Sequence, residues 1–206
     1  MARKSDGKRR KEILEIARDL IFNEGLSNFT MRAVAIRAKI SEAAIYKHYT
    51  NKEDLLLTLL DSLFSPWQQA FKEIDRRQIA IDAKLTKIAQ THIDFLTEKK
   101  LNPILFFSEA INPENQNLLR VLQSNLGFLN KFIKNIFDKA WQSGFFAAIT
   151  DDSQAAAATA CFIGLIQASI IKWTISGTAR NLKEDTVRNI EFFLANLKIR
   201  SSENGK

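Results

Sequence analysis

The chain has 206 residues, 46% of them hydrophobic, with 30 Lys and Arg against 23 Asp and Glu for a net charge of +7. That is enough apolar material to bury a core, and the single Cys excludes a disulfide framework and fits a reducing cytoplasm. Two His far apart, no Gly-rich phosphate loop, no metal-ligand cluster and no nucleophile motif exclude the common enzyme classes, so no catalytic residue, metal or cofactor is expected.

The chain starts with a basic stretch, Arg3-Lys4 and then Lys8-Arg9-Arg10-Lys11, too short and polar for a secretion signal. It reads as an arm that reaches DNA or as a solvated tail. A first helix is predicted over about Lys8 to Asn23, with Ile13, Ala17, Leu20 and Ile21 inward and Gly25 as its stop. Leu26 and Phe29 lead back into the same small core. Residues 1–52 hold twelve basic and six acidic side chains, net +6, which leaves +1 for the rest. The positive field is therefore concentrated at one end, as nucleic-acid binding requires.

Thr30 is placed to cap a second helix, in which Met31, Val34, Ala35 and Ala38 share one face while Arg32, Arg37 and Lys39 fall mostly off it. Ser41 is the next cap, so the turn lies at Lys39-Ile40. A third helix from about Glu42 to Tyr49 turns Ile45 and Tyr49 inward and leaves Glu42, Ala43, Tyr46 and Lys47 outward. Two short helices joined by a tight turn are a means of presenting one helix to the major groove. Asn51 caps the element that follows, with Glu53 and Asp54 in its first turn.

Thr30, Ile40-Ser41, Ala43-Ala44-Ile45, Tyr46-Lys47-His48-Tyr49 and Lys52 together resemble the DNA-binding signature of the tetracycline-repressor (TetR) family of bacterial transcription regulators. The resemblance covers about residues 10 to 56 and is architectural beyond that. Lys39 departs from it, because the family usually has Gly there and a side chain at positive φ is strained. By resemblance, Thr30, Tyr46, His48 and Lys52 contact phosphates, and Glu42, Ala43, Ala44 and Lys47 lie in or beside the major groove. Arg32, on the outward side, is counted with them. A half-buried role closing the small domain is the other reading of Tyr46 and His48.

Beyond Lys52 the pattern is helical throughout, without sustained alternation. Helices are expected at 52–74 (bent near Pro66), 82–99, 102–111, from 113 or 114 to 143, 153–176 and 183–199. The fold expected is all-α: a three-helix helix-turn-helix DNA-binding domain over 1–52, then a ligand-binding and dimerisation domain of about six helices over 53–206. Residues 155–171 are apolar nearly all round, so both sides of that helix need cover. A membrane span is disfavoured by the 17-residue length, by Thr159, Gln167 and Ser169, and by the lack of a second candidate. Val187, Ile190, Phe193, Leu194 and Leu197 form a stripe on the last helix. Two such helices from each of two subunits make a four-helix bundle, the usual dimer contact of TetR-like proteins.

The middle of the chain is rich in aromatic residues. Most read as core, but rings with few polar groups also line pockets for apolar ligands. TetR-like regulators usually hold an inducer in this part. The candidate ligand-binding residues are Phe64, Trp67, His92, Phe95, Phe106, Gln123, Phe128, Phe132, Phe162 and Gln167, with Asn125 a further polar group on the helix of Gln123. A core histidine with its hydrogen bonds satisfied is the other reading of His92.

The expected function is a cytoplasmic homodimeric repressor on an inverted-repeat operator in double-stranded DNA, released by a small apolar or amphipathic ligand. The alternative is a TetR-like protein without inducer, acting at many chromosomal sites as a nucleoid-associated division regulator.

Overall fold

The computed structural model describes residues 2–99, 101, 107, 108, 110, 112, 115–176 and 181–198. Among them are eight α-helices and no strand: α1 (Ala2–Glu24), α2 (Met31–Ala38), α3 (Glu42–Tyr46), α4 (Lys52–Asp75), α5 (Ile81–Glu98), α6 (Gln116–Gln142), α7 (Asp152–Ser176) and α8 (Leu182–Leu197). A 3-10 turn, Leu26–Asn28, follows α1. Of the short helix expected over 102–111, residues 107, 108 and 110 are described and are helical, and the stop at Gly177 lies outside the described residues. The helix α1 starts at Ala2 and not near Lys8, so the basic arm is helical.

The chain divides into two compact units, residues 1–66 with 100–122, and 67–99 with 123–206. The division falls inside α4 at Pro66 and inside α6 after Leu122. Proline has no N–H, so the carbonyl of Ser62 four residues earlier loses its helical hydrogen bond.

In the first unit, Ile13, Ala17, Leu20 and Ile21 of α1 meet Met31, Val34, Ala35 and Ala38 of α2, Ile45 and Tyr49, all buried, with Phe29 fully enclosed. Each junction is fixed by its own chemistry. Thr30 Oγ1 accepts from the N–H of Ala33 at 3.0 Å and Ser41 Oγ from that of Ala44 at 3.2 Å, so both short helices begin on a hydroxyl cap. Between them the chain reverses at Lys39, which is left-handed (φ 53°). The N–H of Ile40 reaches Ala35 O and that of Lys39 reaches Ile36 O, a Schellman closure. The end of α6 uses the same closure with Gly144 at φ 65°, where Phe145 N–H reaches Ala140 O and Gly144 N–H reaches Trp141 O.

Two further starts share one pattern. Asn51 Oδ1 caps Asp54 N–H while Asp54 Oδ2 accepts from both the N–H and the hydroxyl of Thr50. Asp151 Oδ1 caps Gln154 N–H while Gln154 Oε1 accepts from the N–H and hydroxyl of Thr150. The Asp151 cap starts α7 at Asp152, one residue before the expected Ser153.

In the second unit α8 packs on both α5 and α7. Ala155, Ala158, Thr159, Phe162, Ile166, Ser169 and Ile170 form the buried side of α7. Its other side exposes Ala157, Cys161, Gly164, Ala168, Ile171 and Ile175, spaced alternately four and three residues apart. Ile175 is 77% exposed, and so on α8 is Phe192, at 74%. By length and composition α7 is apolar enough to cross a membrane, but a core helix with one unpartnered apolar stripe has the same composition. Ion pairs tie the helices at their ends. Asp75 at the end of α4 binds Lys84 of α5 (3.0 Å) and Lys139 of α6 (3.2 Å), and Lys134 binds Asp138 and Asp152.

Candidate nucleic-acid interface and ligand site

Within the first unit the sequence-predicted DNA residues lie on the outside of the α2–α3 pair. Thr30, Arg32, Glu42, Ala43, Lys47 and Lys52 are exposed, Tyr46 is 49% exposed, and Ala44 and His48 are half-buried. The division within α3 follows from helical spacing. The helix ends at Tyr46 and not at the expected Tyr49, but Tyr49 N–H still reaches Ile45 O at 3.0 Å, so Ile45 and Tyr49 face inward while Tyr46 and Lys47 are turned out. Thr30 Oγ1 uses a lone pair for its cap, so its own O–H remains a donor for a phosphate. Lys52 Nζ rests 5.5 Å over the Phe29 ring, which steadies its ammonium near the start of α4.

Two features were not legible beforehand. Tyr49 Oη donates to the carbonyl of Arg10 at 3.1 Å, and the Arg10 guanidinium lies 4.8 Å over the same ring. The pair ties α1 to the end of the reading helix. Burial pushes the Tyr49 hydroxyl above its ordinary pKa, against the lowering effect of Arg10, so it stays a protonated donor. Arg37 is bound to Glu24 at 2.5 Å, which removes one of the twelve cations from the free set. Neither partner is near the other in sequence, so composition alone gave no signal.

In the second unit the structure brings together five of the candidate ligand residues. Trp67 of α4 lies with its ring centroid 5.5 Å from His92 and 6.0 Å from Phe95 of α5, and 5.8 Å from Phe128 of α6. Phe128 stacks on Phe132 at 5.5 Å. Phe71, one turn beyond Trp67, completes the cage, at 4.8 Å from Trp67 and 5.8 Å from Phe132. It was not among the candidates, although its four-residue step from Trp67 was a legible signal. Trp67 Nε1 donates to His92 Nδ1 at 3.1 Å. Burial alone lowers the His92 pKa to about 4, so the ring is neutral at ordinary pH, yet part of its surface stays open. Phe128 and Phe132 also face a cleft of about 520 Å³, shared with Lys131, Lys134, Asn135 and Asp138.

The other candidates are placed elsewhere. Phe162 is fully buried against Phe137 in a second ring cluster with Phe146 and Phe145, which is core. Gln123 is exposed on α6. The polar residue on the buried face is Asn125, whose Oδ1 accepts from Gln68 Nε2 at 2.9 Å. Gln167 is half-buried on α7, Phe64 belongs to the first unit, and Phe106 lies outside the described residues.

Residues 13–59 match the family described as bacterial regulatory proteins, tetR family. An HTH-type transcriptional regulator of Staphylococcus aureus (strain bovine RF122 / ET3-1) is 28% identical over 138 residues, 66% of this chain and 67% of that one. The fold is similar to that of the transcriptional regulator FadR from Bacillus subtilis in complex with stearoyl-CoA, with a TM-score of 0.72 and 18% identity over 90% of this chain and 98% of that one. It is likewise similar to the fatty acid degradation regulator FadR from Bacillus halodurans, with a TM-score of 0.71 and 16% identity over 93% and 97% of the two chains. With the capped α2–α3 pair inside the matched segment and helices as the regular elements of the described residues, the similarities support a TetR-family transcriptional regulator, the family match itself covering residues 13–59.

Proposed function

We propose that the protein is a cytoplasmic homodimeric repressor that binds an inverted-repeat operator and leaves it when an amphipathic ligand with an apolar body binds. The observation that carries this reading is the outward set Thr30, Arg32, Glu42, Ala43, Ala44, Tyr46, Lys47, His48 and Lys52 on a hydroxyl-capped helix pair within the basic end. Phenol, imidazole and ammonium groups hold phosphates and set register, while the first turn of α3, with its small residues and Lys47, reads base edges.

The exposed stripe Ala157 to Ile175 supports the dimer. Its alternating four- and three-residue steps are the spacing of a helix seam, and its small residues permit close approach. A second copy supplies the cover that Ile175 and Phe192 lack. Two-fold symmetry then repeats the reading helices about 34–36 Å apart, or a multiple of that.

The cage of rings around Trp67 supports the ligand. Its one neutral imidazole and the adjoining cleft suit a mostly apolar molecule with few polar points. FadR of Bacillus subtilis, similar in fold, was solved with stearoyl-CoA, which favours an acyl chain here. The single helix α4 carries Lys52 at its first residue and Trp67 in its second half, so a ligand that prefers one setting of α4 biases the DNA-reading residues by its differential affinity.

The test is selection of the purified protein on sheared DNA from its own genome, sequenced at two salt concentrations. Enrichment of one or a few promoter fragments with an inverted repeat is expected. Many sites away from promoters would replace this reading with that of a chromosome-organising protein, and no enrichment would end both.

A further inference from the structure

We propose that the Nε2–H of His92 anchors the ligand by donating to an uncharged carbonyl oxygen, so that the site takes an acyl thioester or ester. The proposal rests on the ligand-responsive reading above and names the chemistry of that ligand.

The indole nitrogen of Trp67 can only donate, so the nitrogen it faces must be an acceptor. His92 Nδ1 is therefore unprotonated and the one proton of the neutral ring is on Nε2. No described residue accepts that proton, and the partial exposure of the ring leaves it reachable.

The rings that surround the pair have no oxygen to offer it. The nearby amides of Gln68 and Asn125 bond to each other. Among the described residues no buried side-chain donor lacks a partner, so this N–H is open to water; a ligand that covers it with a carbonyl keeps the hydrogen bond, whereas one that covers it without an acceptor leaves the donor unpaired at a cost.

The sign of the charge selects among acceptors. Because His92 stays neutral far below cellular pH, it offers a carboxylate no countercharge, and a desolvated carboxylate among rings is costly. A thioester or ester carbonyl accepts the same hydrogen bond and buries no net charge. The cleft beside Phe128 and Phe132, about 520 Å³, has the size of a small-molecule site, and Lys131 on its lining suits the acidic part of a carrier-borne acyl group, Lys134 being held by Asp138 and Asp152.

The experiment measures binding of two probes to the full chain by calorimetry without DNA: stearoyl-CoA, and the thioether S-octadecyl-CoA, which lacks only the carbonyl. Stearoyl-CoA is expected to bind about 3- to 10-fold more tightly, the range of one net hydrogen bond. The preference should vanish in His92→Phe, persist in part in His92→Gln, whose amide still donates, and shrink in Trp67→Phe, which leaves His92 in place without its fixed tautomer. Melting curves identify any variant that does not fold, and the remaining variants then carry the comparison. Equal affinity of the wild type for both probes, no binding of either, or a preference that survives in His92→Phe overturns the proposal. Operator binding is assayed separately. Its failure counts against the regulator reading and leaves a measured thioester preference standing.

Discussion

The indole N–H of Trp67 and Nδ1 of His92 are joined across 3.1 Å, one from α4 and one from α5. This bond is the polar centre of an otherwise aromatic cage. It fixes which imidazole nitrogen holds the proton, and burial of the same ring sets how the fold responds to acid.

The unfolded chain protonates His92 near 6.5, whereas the folded chain does so at about 4. Between those values the unfolded state binds the extra proton, so stability falls as pH drops from 6.5 to 4 and this contribution then levels off. The loss is at most about 3 kcal/mol, since the ring keeps partial exposure. Asp75 and Asp82 act in a lower window. Burial would raise their pKa values, but hydrogen bonds from Lys84 and Lys139 to Asp75, and from Lys198 to Asp82, more than offset it and hold both below 3.8. Their contribution is present above 3.8 and is lost only below it. Urea unfolding at pH 4.5 and 7 checks this: the wild type should lose stability and His92→Gln should lose much less. Equal losses would remove His92 as the cause.

Phosphate and base contacts separate by experiment. Tyr46→Phe and Lys52→Ala should each weaken binding to all DNA sequences, and Lys52→Ala should reduce the salt slope by about one. Lys47→Ala and Ala43→Ser should change which sequence is preferred. A binding selection on randomised duplexes reads both effects, and uniform loss for the Ala43 variant would take it out of the base-reading set.

The turn at Lys39 stores strain that Gly144 avoids in the same hydrogen-bonding motif. A side chain in the left-handed region costs about 1–2 kcal/mol, and Gly returns part of that gain through chain entropy. Lys39→Gly should therefore stabilise the chain by up to about 1 kcal/mol while lowering DNA affinity through the lost charge. Thermal melting and a binding titration check the two halves, and a lower melting temperature would show that Lys39 makes a compensating contact.

Gly164 tests the seam without touching the protomer, because a Cβ there meets nothing within 4 Å. Gly164→Leu and Ile175→Glu should leave the helical content unchanged and shift sedimentation toward monomer. Ile175→Glu sets like charges against each other across a two-fold axis and should have the larger effect. Unchanged dimer in both variants would place the interface elsewhere.

Much of the first unit was legible because its signals are local. Caps at Thr30, Ser41 and Asn51 act over three residues, and the inward faces of α1 and α2 follow from helical spacing alone. The ring cage was legible only in part, because periodicity tells which face is apolar but not which neighbour covers it. Phe162 has the same sequence credentials as Phe128, yet one packs into a closed cluster and the other borders a cleft. Gln123 was separable in principle. It follows the buried Leu122 by about 100° around α6, whereas Asn125 keeps the buried register with Leu129. The pairs Tyr49–Arg10 and Gln68–Asn125 join residues 39 and 57 positions apart, beyond any local rule.

The uncovered apolar stripe of α7 also ties the fold of each copy to how many copies there are. Under the proposed dimer, association stabilises the folded state by mass action, so the melting temperature rises with concentration. A cell with few molecules then holds a larger share as protomers with Ile171 and Ile175 open to proteases and chaperones. Dilution would clear the regulator faster than growth alone, and the abundance at which it persists would be set by the strength of one helix seam.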